Sequence, residues 1–213
     1  MKGFNVMFFA GVAAMLLPSC NDLLGDIYDE PVASSEYGFI ETCSGSKPGM
    51  IYVDATDYEV WTYISFADRT IEPLPVDAPA PEKWDMAVHR YDTKTNGGVV
   101  FATSLSDISL AQGWRPSAGE KGVADIWTTD KIVTDMSTMM DGYLSYADSY
   151  YNPVLSEWLD VDTSTMPPVY TLSGKVYVIE MADGRKAAVK LSDFMNGAGV
   201  KGYMSIQYIY PLQ

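Results

Sequence analysis

The sequence predicts a mainly β protein, built from antiparallel sheets and a closing meander with long loops and little helix. Three observations carry this. Four short apolar runs close the chain: Val169-Tyr-Thr-Leu172, Lys175-Val-Tyr-Val-Ile-Glu-Met181, Lys186-Ala-Ala-Val-Lys-Leu191 and Tyr203-Met-Ser-Ile-Gln-Tyr-Ile-Tyr210. The last alternates, with Met204, Ile206, Tyr208 and Tyr210 on one face and Tyr203, Ser205, Gln207 and Ile209 on the other, the period of a half-buried strand. Between the second and third runs stands Asp183-Gly184, a pair suited to a tight hairpin because glycine accepts positive φ at no steric cost.

From the N-terminus, Met1-Lys2 gives a positive start and Phe4–Leu17 is apolar but short for a membrane span. The run ends in Leu17-Pro18-Ser19-Cys20, which resembles the lipobox of bacterial lipoproteins, where the leader is cut before a cysteine that is then acylated. Residues 1–19 are therefore expected to be a signal peptide and Cys20 a lipidation site. Residues 20–49, rich in Asp, Glu, Ser, Gly and Pro, read as a tether, with Tyr37–Ile40 able to dock on the domain that residues 50–213 form. With 28 acidic against 14 basic residues the net charge is −14. Such a surface repels nucleic-acid phosphates and anionic lipid, which leaves the acyl chains on Cys20 as the membrane anchor. Once Cys20 is acylated, Cys43 has no disulfide partner.

Strand-like runs follow at Met50–Val53, Tyr58–Phe66, Trp84–Tyr91 and Val99–Ser104. Four prolines make Ile71–Glu82 a loop or edge segment, and Asn96-Gly97-Gly98 reads as a hairpin turn between the last two runs. Asp135–Ser149 is the one stretch with a helical pattern, and Asp193–Met195 reads as a short turn.

Enzyme signatures are missing: no Gly-rich phosphate loop, no paired-histidine zinc motif and no metal-spaced Cys or His cluster. The single histidine, His89, lies in a strand and has no partner nucleophile in view, so it reads as structural. Asp54, Asp57 and Glu59 match no calcium-loop spacing and read as solvated carboxylates. The unusual region is Trp127–Pro168, which holds Met136, Met139, Met140 and Met166 among Trp127, Tyr143, Tyr146, Tyr150, Tyr151 and Trp158. Methionine gives a soft, polarisable surface, and it fills irregular cores equally well. The residues alone leave both uses open.

The block Trp84-Asp-Met-Ala-Val-His-Arg-Tyr-Asp-Thr-Lys-Thr-Asn-Gly-Gly98 resembles a signature of the HmuY family, surface lipoproteins that capture haem. Tyr177–Leu191 and Gly202–Pro211 are similar to that family as well. The resemblance implies an almost all-β fold whose long loops grip a haem, and a haemophore-like, non-catalytic lipoprotein of the outer membrane exposed at the cell surface. It implies further that haem, taken in part from host haemoproteins, passes to a TonB-dependent receptor for iron acquisition. The best-known family pattern uses two histidines as iron ligands, and this chain has none in that region. It resembles instead the relatives that use a methionine pair. Met139 and Met166, at opposite ends of the insertion, are the expected axial ligands, with Met136 and Met140 in reserve for the first. Tyr143 and Tyr146 would line the haem pocket, and Lys131 would meet the propionates. A thioether is neutral and soft, so it favours ferrous over ferric iron.

Two other readings stand beside this one. A non-catalytic adhesive or a glycan- or peptide-binding surface lipoprotein of the same fold would use the methionines as core. An exported hydrolase relying on carboxylates alone would need an Asp/Glu pair that the spacing does not supply.

Overall fold

The computed structural model describes residues 37–44 and 47–213. The leader, Cys20 and most of the tether lie outside the described residues. The strands are β1 (Phe39–Ile40), β2 (Gly49–Asp54), β3 (Val60–Ser65), β4 (Thr70–Pro75), β5 (Met86–His89), β6 (Asp92–Thr95), β7 (Val99–Ala102) and β8 (Val123–Ala124). They continue as β9 (Ile126–Asp135), β10 (Ser145–Tyr151), β11 (Leu159–Asp162), β12 (Val169–Leu172), β13 (Tyr177–Glu180), β14 (Lys186–Met195) and β15 (Lys201–Ile209). A seven-stranded sheet has the order β1-β2-β15-β14-β13-β7-β8, a four-stranded sheet the order β4-β3-β5-β6, and β9-β10 and β11-β12 form two separate hairpins.

The alternation in the sequence dictates the layers. Ile51, Val53, Val189, Leu191, Met204 and Ile206 of the large sheet pack with Ile64, Phe66, Met86 and Val88 of the small one. Each is within a few per cent of full burial, which stabilises by about 1.5–3 kcal/mol per side chain. The opposite face of the large sheet carries Phe101, Val178, Ala188 and Ile209, covered by Ile108 and Ala111 of a 3₁₀ turn in the β7–β8 connection. The outer face of the small sheet carries Trp61, Tyr63 and Ala87, covered by Ile132, Ala147 and Tyr151 of the β9-β10 hairpin. That hairpin is thus held to the body along one face only.

Three of the four closing runs form the meander, with Tyr177↔Val189 and Leu191↔Ile206 among the paired residues. Tyr37–Ile40 docks by strand pairing, Phe39 and Ile40 opposite Tyr52 and Ile51, so the large sheet takes in chain upstream of residue 50. Four expectations need correction. Val169–Leu172 stands outside the meander and pairs with Leu159–Asp162 in a hairpin of its own. Asp135–Ser149 is not a helix: it is the end of β9, a 3₁₀ turn at Met139–Asp141 and most of β10. Gly142 at φ +84 reverses the chain there, a conformation that a continuing right-handed helix excludes. Asp193–Met195 is no turn but the end of β14, which reaches Met195 through two register shifts.

The hairpin turn of the signature block also differs. β5 turns at Arg90-Tyr91 into β6, with His89 paired to Asp92. Arg90 holds an unusual φ of +50, and its guanidinium donates to the carbonyls of Ala55 and Thr56 at 3.2 and 2.7 Å and lies over the Tyr58 ring. Asn96-Gly97-Gly98 instead carries the chain from the small sheet to β7 of the large one. A Cβ on Gly98 would stand 2.8 Å from the Glu180 carbonyl oxygen, so the crossing needs glycine.

Candidate functional site

Both hairpins rise from one short segment, Asn152–Trp158. Asn152 is fully buried and supplies its hydrogen bonds in three directions. Its N–H donates to Thr93 O at 2.6 Å, and its side-chain amide donates to Val123 O and to the Asp125 carboxylate at 3.0 and 2.9 Å. Its side-chain oxygen accepts from the N–H groups of Val154 and Leu155. The Asp125 carboxylate also accepts from the N–H and hydroxyl of Thr95 at 2.7 and 3.1 Å. Thr93 N–H donates to the Ser156 hydroxyl, and the Trp158 indole N–H to Tyr91 O at 2.8 Å. Ser173 N–H, just past β12, donates to Trp158 O at 2.9 Å and closes the second hairpin's base. The two hairpins are arms with a common, fully bonded root on β6.

The first arm, β9-β10, pairs Trp127 with Tyr150 at its root and Asp135 with Ser145 near its tip, with two register shifts between them. Its tip is made of local bonds: Ser137 N–H to the Asp135 carboxylate, Gly142 N–H to Met139 O, and Tyr143 N–H and Thr138 hydroxyl exchanged between residues 138 and 143. The second arm, β11-β12, pairs Leu159 with Leu172 and Asp162 with Val169. At its tip Asp162 accepts from Ser164 N–H, and Thr165 donates to Pro167 O. Its base packs inward through Tyr170, which stacks on Phe194 and meets Tyr91 edge-on.

The predicted residues fall at these tips. Met136, Met139, Met140 and Tyr143 gather on the first, and Met166 stands on the second. Met139 is 41% exposed, Met140 86% and Met166 76%, with Tyr143 and Tyr146 also exposed. Large apolar side chains so placed contribute little burial to folding. Lys131 lies midway along β9, and its charge acts on the Asp92 carboxyl of β6.

The root holds the charged groups. Burial raises the Asp92 carboxyl to about 7, against the pull of Lys131. Burial lowers Lys94 to about 8, with Asp125 working the other way. His89 is buried beside Trp61, its Nε2 2.7 Å from Tyr58 O, and burial brings its pKa down to about 4. It is neutral at pH 7, so Nε2–H donates to that carbonyl. Asp54 and Asp57 bond the local groups of Thr56 and Glu59. Among the described residues no group of three or more His, Cys, Asp or Glu could hold a metal ion.

Sequence reasoning missed Asn152 and Asp125. The Asn152-Pro153 pair does carry a turn signal, but nothing in it announces a bond network.

The family model for HmuY protein matches residues 57–208. A Bacteroides vulgatus crystal structure described as an HmuY-like heme-binding protein is 49% identical, covers 83% of this chain and 99% of its own, and superposes with a TM-score of 0.76. A Bacteroides fragilis structure described as a lipoprotein is 46% identical, with 86% and 100% covered and a TM-score of 0.78. The apo HmuY analog of Tannerella forsythia is 26% identical, with 76% and 94% covered and a TM-score of 0.65. No curated protein matches the chain. From the signature block through the closing meander, this chain belongs to the HmuY family.

Proposed function

We propose that the protein is a non-catalytic, haem-binding lipoprotein that holds iron between Met139 of the first arm and Met166 of the second. The observation that carries this is the pair of arms on one root, each presenting exposed methionine at its tip. The donor set fits the group. Haem iron can take ligands from outside its macrocycle, and one thioether from each arm would supply them. Met136 and Met140 are the reserves on the first tip. Neutral sulfur costs little to bury against a macrocycle, and its softness favours the ferrous state. Tyr143 and Tyr146 offer ring faces to the porphyrin, and Lys131 a cation for a propionate.

In this reading Cys20 is the lipid anchor at the outer membrane, and the domain faces the cell exterior. It takes haem from host haemoproteins and passes it to a TonB-dependent receptor. With both axial positions filled by protein, the site carries haem and does no chemistry on it. The test is an anaerobic absorbance titration with haem, in the presence and absence of dithionite. Saturable one-to-one binding with a low-spin spectrum is expected, strongest when reduced. No saturable spectrum in either state overturns the proposal.

A further inference from the structure

We propose that the groove between the root of the first arm and the small sheet is a second binding site, for a neutral saccharide. The groove holds about 500 Å³, within the range of small-molecule sites, and lies at the opposite end of the arm from the methionines. Its lining includes Trp127 and Tyr150 of the arm, Tyr63 and Trp84, and the polar groups of Lys94, Asn96 and Asp148. Trp127 and Tyr150 are 54% and 55% exposed, although they are the largest side chains at the arm's root. Each aromatic pair meets edge to face, at 5.0 Å between centroids. Within each pair the rings face in different directions, which offers flat apolar surfaces to the C–H faces of a puckered ring.

The polar groups decide between ligand classes. Lys94 is held in place: its ammonium donates to the Tyr63 hydroxyl at 3.0 Å and stands 4.1 Å from the Trp61 ring centroid. An ammonium has three donors, so hydrogens remain for a ligand hydroxyl. Asp125 is consumed by Thr95 and Asn152, whereas Asp148 stands exposed on the arm and accepts freely. Asn96 commits its side-chain N–H to Trp84 O, which leaves its carbonyl oxygen as an acceptor. A purely apolar ligand would cover Lys94 and Asp148 without bonding either. An anion would meet Asp148 and a chain of net charge −14, and a cation would meet Lys94. An uncharged ligand with apolar faces and hydroxyls that both donate and accept satisfies every group.

The test is an array of neutral and acidic oligosaccharides probed with the protein, followed by titration of the strongest neutral binder against Trp127→Ala and Asp148→Asn. Both positions are exposed, and an unchanged circular-dichroism spectrum and urea-unfolding midpoint in each variant check the fold independently of the haem reading. The expected result is saturable binding of a neutral saccharide, weakened at least tenfold by Trp127→Ala and severalfold by Asp148→Asn. Failure of every neutral saccharide to bind, preference for acidic ones, or affinity unmoved by Trp127→Ala would overturn the proposal.

Discussion

Root and tip of the same two arms are built on opposite principles. At the root the side-chain polar atoms of Asn152 and Asp125 all have partners, and the neighbouring Leu155 and Trp158 are buried. At the tips the hydrogen bonds are local turns, and the apolar side chains of Met139, Met140 and Met166 face solvent. Exposed methionine contributes little to folding. Under the proposed function the root carries stability and the tips carry binding, and substitutions at each end should separate them.

The largest effect is expected at Asn152→Ala. It leaves the backbone bond to Thr93 intact but strands the groups of Val123, Asp125, Val154 and Leu155, and with roughly 1–3 kcal/mol per unpaired buried group the loss should be about 4 kcal/mol in urea unfolding. A cost under about 1 kcal/mol would show that the root does not hold the arms.

Next in size is a pH effect from two groups flanking the Arg90-Tyr91 turn. His89, lowered to about 4 in the fold, binds fewer protons folded than unfolded between pH 4 and about 6.5, so its contribution to stability rises with pH across that window. Asp92, raised to about 7, binds more protons folded than unfolded from about pH 4 to 7, so its contribution falls as pH rises. The two oppose each other, and their contributions nearly cancel from about pH 4 to 6.5. Asp92→Asn removes one side, so the variant's stability should rise by about 3 kcal/mol relative to the parent protein's over that range. A difference between the two that stays constant with pH would mean that burial does not hold the Asp92 proton.

The smallest effects on stability belong at the tips. Met139→Ala, Met140→Ala and Met166→Ala should each change unfolding free energy by no more than about 0.5 kcal/mol, as exposed positions do. A loss above about 2 kcal/mol at Met139 or Met166 would make that methionine part of the core after all.

How legible these regions were follows from the same division. The meander could be read because Met204, Ile206 and Tyr208 alternate onto a buried face and Asp183-Gly184 marks a turn. The first arm misled, since Met136, Met139, Met140 and Tyr143 fall at the i, i+3, i+4, i+7 spacing of an amphipathic helix. No core lies under that stripe, and Gly142 turns the chain inside it, so the spacing reflects a cluster of exposed side chains and not a packed face. The methionines themselves were visible by composition alone. Asn152, on which both arms depend, carries no period, because a bond network joins residues distant in sequence.

The most direct test of the central claim asks whether iron is held by one sulfur from each arm. Anaerobic titrations of ferrous and ferric haem would be compared for the protein, Met139→Ala and Met166→Ala. The account predicts tighter ferrous than ferric binding, and at least a hundredfold weaker ferrous affinity, about 2.7 kcal/mol, in each single variant. Ferric haem bound more tightly, or ferrous affinity surviving both substitutions, would contradict it.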